Sequence, residues 1–119
     1  MGTFSTKLQV GNPAGGDMRE VEALVDTGAS HSMFPASLLD RLRIDRRSQI
    51  DGTLADGSEV SYWTGWALIG IEGEEGTCRV IFGPEGDESS VIGATTLQML
   101  LFKVDPVREV LEPTTRVRL

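Results

Sequence analysis

Apolar and polar residues alternate along much of this chain, and clusters of Gly, Pro, Asn and Asp break the alternation at short intervals. A period of two puts successive side chains on opposite faces of a strand, so the pattern predicts short, half-buried β-strands joined by turns. Residues 3–10 alternate, and Gly11-Asn12-Pro13-Ala14-Gly15-Gly16-Asp17 is a dense turn signal. Residues 19–25 alternate again, with Val21, Ala23 and Val25 on one face, which predicts a hairpin with a long loop. Residues 50–70 read as a second hairpin turning at Asp56-Gly57. Glu72 to Gly76 reads as a turn, Cys78 to Phe82 as a strand and Gly83 to Glu88 as an exposed acidic loop. Val91-Ile92 is a short apolar run, and Lys103 to Val110, interrupted by Pro106, reads as a last hairpin. The period lengthens only twice. Pro35 can take the first helical position ahead of Leu38, Leu39 and Leu42, and Thr95 to Leu101 suits a second helix. Short strands with one or two short helices predict a mostly-β barrel or sandwich.

A chain of 119 residues is expected to form a single domain over 1–119. Eleven basic residues oppose eighteen acidic ones, for a formal charge of -7. That balance argues against a nucleic-acid backbone and against an anionic membrane surface as partners. The single Cys78 forbids an intrachain disulfide and suggests a reducing, cytoplasmic location. One His and one Cys cannot build a zinc site of the usual kind. No apolar run is long enough to span a bilayer, and the first residues lack the pattern of a signal peptide. Met1 to Thr6 fits the loose pattern for acylation of Gly2, but its alternation equally suits a strand, which is the preferred reading.

The segment that carries chemistry is Ala23-Leu24-Val25-Asp26-Thr27-Gly28-Ala29-Ser30. Three apolar residues run directly into an acid, so a buried strand would deliver the Asp26 carboxylate to its end. Gly28 would let the chain turn sharply with its backbone close to that carboxylate. On these residues alone, Asp26 could equally cap an ordinary turn.

The segment resembles the active-site motif of aspartic proteases, two hydrophobic residues followed by Asp-Thr-Gly-Ala/Ser. Ser90-Val91-Ile92-Gly93-Ala94-Thr95-Thr96-Leu97 resembles the later hydrophobic–hydrophobic–Gly segment of retroviral-type members, which leads into their helix. Val80 to Pro84 looks like the strand and loop before it, and Leu54-Ala55-Asp56-Gly57-Ser58-Glu59-Val60 falls where the family has its flap. The resemblance covers roughly residues 20–105, to the single-lobe, retropepsin-like group and most of all to its short bacterial members. It implies a closed, barrel-like β fold. It also implies Asp26 as the catalytic residue, Thr27, Gly28 and Ala29 as its support, and Ala55, Asp56, Gly57 and Ser58 as a substrate-binding flap. No metal and no organic cofactor is implied. Ala94 stands where retroviral enzymes commonly carry an Arg that ties the dimer together, and Asp56 stands in a flap that is Gly-rich in those enzymes.

Peptide hydrolysis by carboxylates needs a base for water and an acid for the carbonyl oxygen, and two close carboxyls sharing one proton supply both. Asp51-Gly52-Thr53 and Asp56-Gly57-Ser58 follow no buried apolar strand and read as turns, so the chain has one such motif. The second Asp26 must come from a second copy, which predicts a homodimeric endopeptidase acting on a peptide or protein substrate. The competing reading is a non-catalytic module that uses the same fold to dimerise or to bind peptides.

Other residues invite chemistry less strongly. Ser30 and His31 are adjacent, and on extended backbone their side chains would point apart, against a serine-hydrolase pair. Cys78 lies in an alternating strand and reads as core packing rather than as a thiol partner of His31. Trp63 and Trp66 flank Gly65 and could line a groove at the base of the flap, with packing preferred for one of them. Arg41, Arg43, Arg46 and Arg47 read as a solvated face, and the acids at 85–88 as a solvated turn.

Overall fold

The computed structural model describes residues 4–114; Gly2, on which the acylation pattern turns, lies outside them. In chain order the elements are β1 (Phe4–Gly11), β2 (Arg19–Val25), β3 (Ser32–Phe34), α1 (Ala36–Arg41), β4 (Ser48–Thr53) and β5 (Glu59–Ile71). They continue with β6 (Glu74–Phe82), β7 (Val91–Ile92), α2 (Ala94–Met99), β8 (Phe102–Asp105) and β9 (Val110–Pro113). The predicted hairpins form. β1 and β2 pair antiparallel from Phe4↔Val25 to Val10↔Arg19, so Leu8, Val10, Ala23 and Val25 turn inward together.

The expected closed barrel is not what forms. Seven strands make one sheet in the order β1-β2-β7-β3-β6-β5-β4, and β8 with β9 makes a separate ribbon. Among the described residues β4 pairs only with β5 and ends the sheet as an edge. β1 folds back onto β5 at three positions, Gln9 to Gly11 against Gly70 to Leu68, and never meets β4. The reason lies in β5, whose first half is committed to β4 and whose second half is committed to β6 on one side and briefly to β1 on the other. The β4–β5 arm therefore extends past the strands that might have closed on it. Period-two patterning is the same in open and closed sheets, so it carries no information on closure.

Several local expectations also shift. The turn predicted over Glu72 to Gly76 shrinks to Glu72-Gly73, both at positive φ (48° and 86°), and β6 starts at Glu74. Positive φ at both central residues is the two-residue hairpin geometry whose twist matches the flanking strands. Asp51-Gly52-Thr53 is no turn but the end of β4, paired with Ser61, Val60 and Glu59. Pro35, with ψ at 132°, stands just before α1 rather than inside it. The apolar face of α1 is as expected, with Leu39 fully buried and Leu38 and Leu42 packed against the core.

Phe34, Leu39, Ile69, Ile71, Ile92, Val10 and Val80 are the large apolar side chains that lose essentially all contact with water. Each contributes roughly 1.5–3 kcal/mol relative to exposure. Ile92 and Phe34 lie on the short central strands β7 and β3, so the core is anchored where the chain passes closest to Asp26. Among the described residues no helix is long and apolar enough to cross a membrane.

Candidate active site

β2 ends at Val25, which is buried, and delivers Asp26 to the first residue of an irregular loop where it is half-buried. Three hydrogen bonds fix it. The Asp26 N–H donates to the carbonyl of Ile92 at 2.9 Å, the Gly28 N–H donates to Asp26 Oδ1 at 2.9 Å, and the Ala29 N–H donates to the Asp26 carbonyl at 3.1 Å. A Cβ on Gly28 would lie 3.2 Å from Asp26 Oδ1, so glycine lets the backbone approach the carboxylate. Thr27 and Gly28 are exposed and Ala29 is half-buried.

The two segments singled out in the sequence are stitched together. β7 lies parallel to β2 at Leu24↔Val91 and Val25↔Ile92, and antiparallel to β3 at Met33↔Val91. The Leu24 N–H donates to Ser90 O, the Ala94 N–H to Ala29 O at 2.8 Å and the Thr95 N–H to Ser30 O at 3.0 Å. The Thr95 hydroxyl also donates to Ser30 O at 2.6 Å. Beneath them Ser32 Oγ lies 2.6 Å from Thr96 Oγ1 and accepts the Gly93 N–H at 3.0 Å, with Ser32 and Thr96 fully buried. Sequence reasoning passed over this hydroxyl pair. The available signal was parity, because Ser32 shares its strand face with Phe34. A Cβ on Gly93 would lie 2.6 Å from the His31 carbonyl and 2.8 Å from the Ala29 carbonyl oxygen. Only glycine allows this crossing.

Ala55, Asp56, Gly57 and Ser58 form the tip of the β4–β5 hairpin. The tip closes on itself. The Leu54 N–H donates to Ser58 O at 2.8 Å, and Asp56 Oδ1 accepts the Ser58 N–H at 2.9 Å and the Ser58 hydroxyl at 2.5 Å. The Ser58 hydroxyl, and after it the Ser58 N–H, hold the Asp56 carboxyl below its ordinary pKa. Asp56 is thus engaged within its own turn, which accounts for an acid where a Gly-rich tip was the comparison.

Three secondary expectations need correction. Ser30 Oγ and His31 Nδ1 do meet, at 2.9 Å. Residues 26–31 form turns and bends rather than extended chain, so the geometry that would have separated them does not apply. No carboxylate is bonded to the imidazole among the described residues, so the pair lacks the third member of a hydrolase triad. Trp63 and Trp66 are both exposed, at 42% and 44%, so neither packs the core. Trp66 lies under the Arg79 guanidinium, 4.9 Å from the ring centre. Arg46 is not simply solvated, since it grips Asp40 at 2.6 and 3.1 Å and covers the Phe82 ring. Cys78 is buried as expected. It borders the same cavity as His31, but its burial pushes the thiol pKa up against a smaller pull from the Thr96 hydroxyl. Among the described residues no three His, Cys, Asp or Glu side chains gather as a metal-binding group.

A half-buried carboxylate held by a backbone N–H at a strand end can accept or donate a proton, though one carboxyl cannot do both at once. The family model described as "gag-polyprotein putative aspartyl protease" matches residues 16–99, a span holding both stitched segments and the hairpin tip. No curated protein sequence matches the chain. Among solved structures, the EIAV protease is 21% identical with a TM-score of 0.55, covering 82% of this chain and 86% of its own. A retropepsin-like aspartic protease from Rickettsia conorii is 18% identical with a TM-score of 0.55, covering 87% and 88%. The retroviral protease-like domain of Ddi1 from Leishmania major is 16% identical with a TM-score of 0.54, covering 92% and 88%. Viral, bacterial and eukaryotic structures are thus about equally similar, and the expected special likeness to bacterial members is not seen. At these identities the structures speak for the fold alone, whereas the family model spans most of the chain. The chain belongs to the retropepsin-like aspartic protease family.

Proposed function

We propose that this protein is an aspartic endopeptidase that acts as a homodimer, with one Asp26 from each chain. The observation that carries this reading is the single Asp26 at a strand end, its carboxylate bonded by the Gly28 N–H and its backbone N–H by the Ile92 carbonyl. Two such carboxyls across a two-fold axis share one proton, because like charges so close cannot both ionise. The ionised member takes a proton from water, the oxygen attacks the peptide carbonyl, and the protonated member gives its proton to the carbonyl oxygen. The pair then gives its proton to the leaving nitrogen as the C–N bond breaks, and a hydroxyl of the collapsing tetrahedral intermediate returns a proton to the pair, which restores the shared proton. Thr27 braces the partner chain and Gly28 positions the substrate. Ala29 offers no hydroxyl to the acid pair, and we place the optimum in mildly acidic solution. The hairpin tip, Ala55 to Ser58, closes over an extended peptide that adds β-type backbone bonds. The reaction needs no cofactor and suits a cytoplasmic enzyme.

The test is hydrolysis of a denatured protein and a peptide library, with and without a pepstatin-like transition-state mimic. Asp26→Asn keeps the shape of the side chain but cannot exchange the proton, so activity should fall by about 100-fold or more. A purified Asp26→Asn chain that cleaves at the parental rate would sink the assignment. A parent chain that binds peptides without cleaving them would favour the non-catalytic module.

A further inference from the structure

A cavity of about 750 Å³ opens between α1, the β5 side of the β4–β5 arm and the loop 83–88. That volume lies in the roughly 300–1,000 Å³ range of small-molecule sites. Its walls differ in kind. Val60 to Trp63 enter from β5, directly after the hairpin tip, and Trp63 shows an exposed aromatic side chain. Glu85, Asp87 and Glu88 face them from the loop. The loop runs on into Ser90 and Ile92, whose carbonyls accept the Leu24 and Asp26 N–H groups, so one wall is continuous with the backbone that fixes Asp26.

The charges do not cancel. The cavity holds one cation, Arg46, which is already engaged by both oxygens of Asp40 and stacked 4.5 Å from the Phe82 centre. Removing that pair leaves three acids, and none of them forms an ion pair among the described residues. Asp87 accepts the Ser89 N–H and hydroxyl, which lower its pKa and keep it ionised. Acids that share a cavity with the exposed Trp63 ring suit a cation with an apolar stem, which the ring attracts and the carboxylates neutralise.

We infer that this cavity receives a positively charged side chain, Arg or Lys, of the peptide substrate and so sets a preference for basic sequences. The inference rests on the endopeptidase reading above for the substrate to be a peptide. It makes Glu85 and Glu88 specificity-determining residues that act on binding and not on the chemical step.

The test uses three matched peptide libraries that differ at one fixed position, carrying Arg, norleucine or Glu. The full chain should cleave the Arg library about fivefold more efficiently than the norleucine library, the scale of one well-placed surface charge pair, with the Glu library poorest. The difference should lie in KM. Glu85→Gln with Glu88→Gln should erase the Arg-to-norleucine ratio. Glu74→Gln with Glu75→Gln removes the same charge from exposed positions at the far β5–β6 turn and should leave the ratio standing. Equal cleavage of the Arg and norleucine libraries would overturn the inference. So would a ratio that survives in the Glu85/Glu88 variant, or one that falls equally in the Glu74/Glu75 variant. Binding to the Asp26→Asn chain, read by tryptophan fluorescence, separates the two claims. If nothing is cleaved, the endopeptidase reading fails alone. Tighter binding of the Arg library, lost in the added Glu85/Glu88 variant, then upholds the cavity's role, and equal binding removes it.

Discussion

Two glycines beside Asp26 should answer substitution in opposite ways. At Gly93 an added Cβ runs into the backbone carbonyls of His31 and Ala29, which cannot move without pulling β3 and the Asp26 loop apart. Gly93→Ala should therefore cost about 1–3 kcal/mol of stability, the range for overpacking, seen as a lower denaturation midpoint in urea. At Gly28 the Cβ meets one atom, Asp26 Oδ1, and that atom belongs to a side chain able to rotate. Gly28→Ala should unfold within about 0.5 kcal/mol of the parent while losing most peptidase activity, because the carboxylate is what moves. Equal losses of stability for the two variants would contradict this division. Ser32→Ala belongs with Gly93. It strips the Gly93 N–H of its buried acceptor and Thr96 of its partner, and should cost about 1–3 kcal/mol.

At the scale of elements, the hairpin that bears the flap tip is held by Asp56 and Ser58, and its order should depend on pH. The folded carboxyl of Asp56 lies below its ordinary value, so the stabilisation is complete above that value and is lost as pH falls through the folded value. The Ser58 amide signal, followed by NMR, should titrate with a midpoint below that of an ordinary Asp. In Ser58→Ala the midpoint should move up, since the hydroxyl is the larger cause. A midpoint that does not move would assign the effect to the backbone donor. This hairpin also shows how far sequence could reach. Alternation and Asp56-Gly57 located its strands and turn, and the run into Asp26 located the strand end, because both are local patterns. Closure of the sheet was not legible, since the double commitment of β5 to β4 and β6 is a property of register over 13 residues. Nor was the meeting of Ser30 with His31, which depends on loop dihedrals that no period describes. The exposure of Trp63 was equally hidden, because it sits on the β4–β5 arm opposite Gln49, whereas Trp66 lies on the sheet face opposite the buried Ala67 and Ile69.

For the whole molecule, the proposed mechanism needs two copies of a chain that carries a formal charge of -7. Association must overcome that repulsion without the Arg found in retroviral relatives, since Ala94 here only donates its N–H to Ala29. Apolar side chains exposed on one chain offer area for the contact, among them Leu24, Met99 and Leu101, which are 38%, 59% and 52% exposed. Raising ionic strength from about 0.01 M to about 0.15 M shortens the screening length from roughly 30 Å to roughly 8 Å, which weakens repulsion but leaves apolar burial intact. Specific activity should therefore fall on dilution, in step with the appearance of monomer by sedimentation. Added salt should shift both transitions together to lower protein concentration. A monomer that keeps full specific activity would rule out a site shared between chains. A dimer that dissociates as salt is added would place ion pairs, rather than apolar contact, at the centre of the interface.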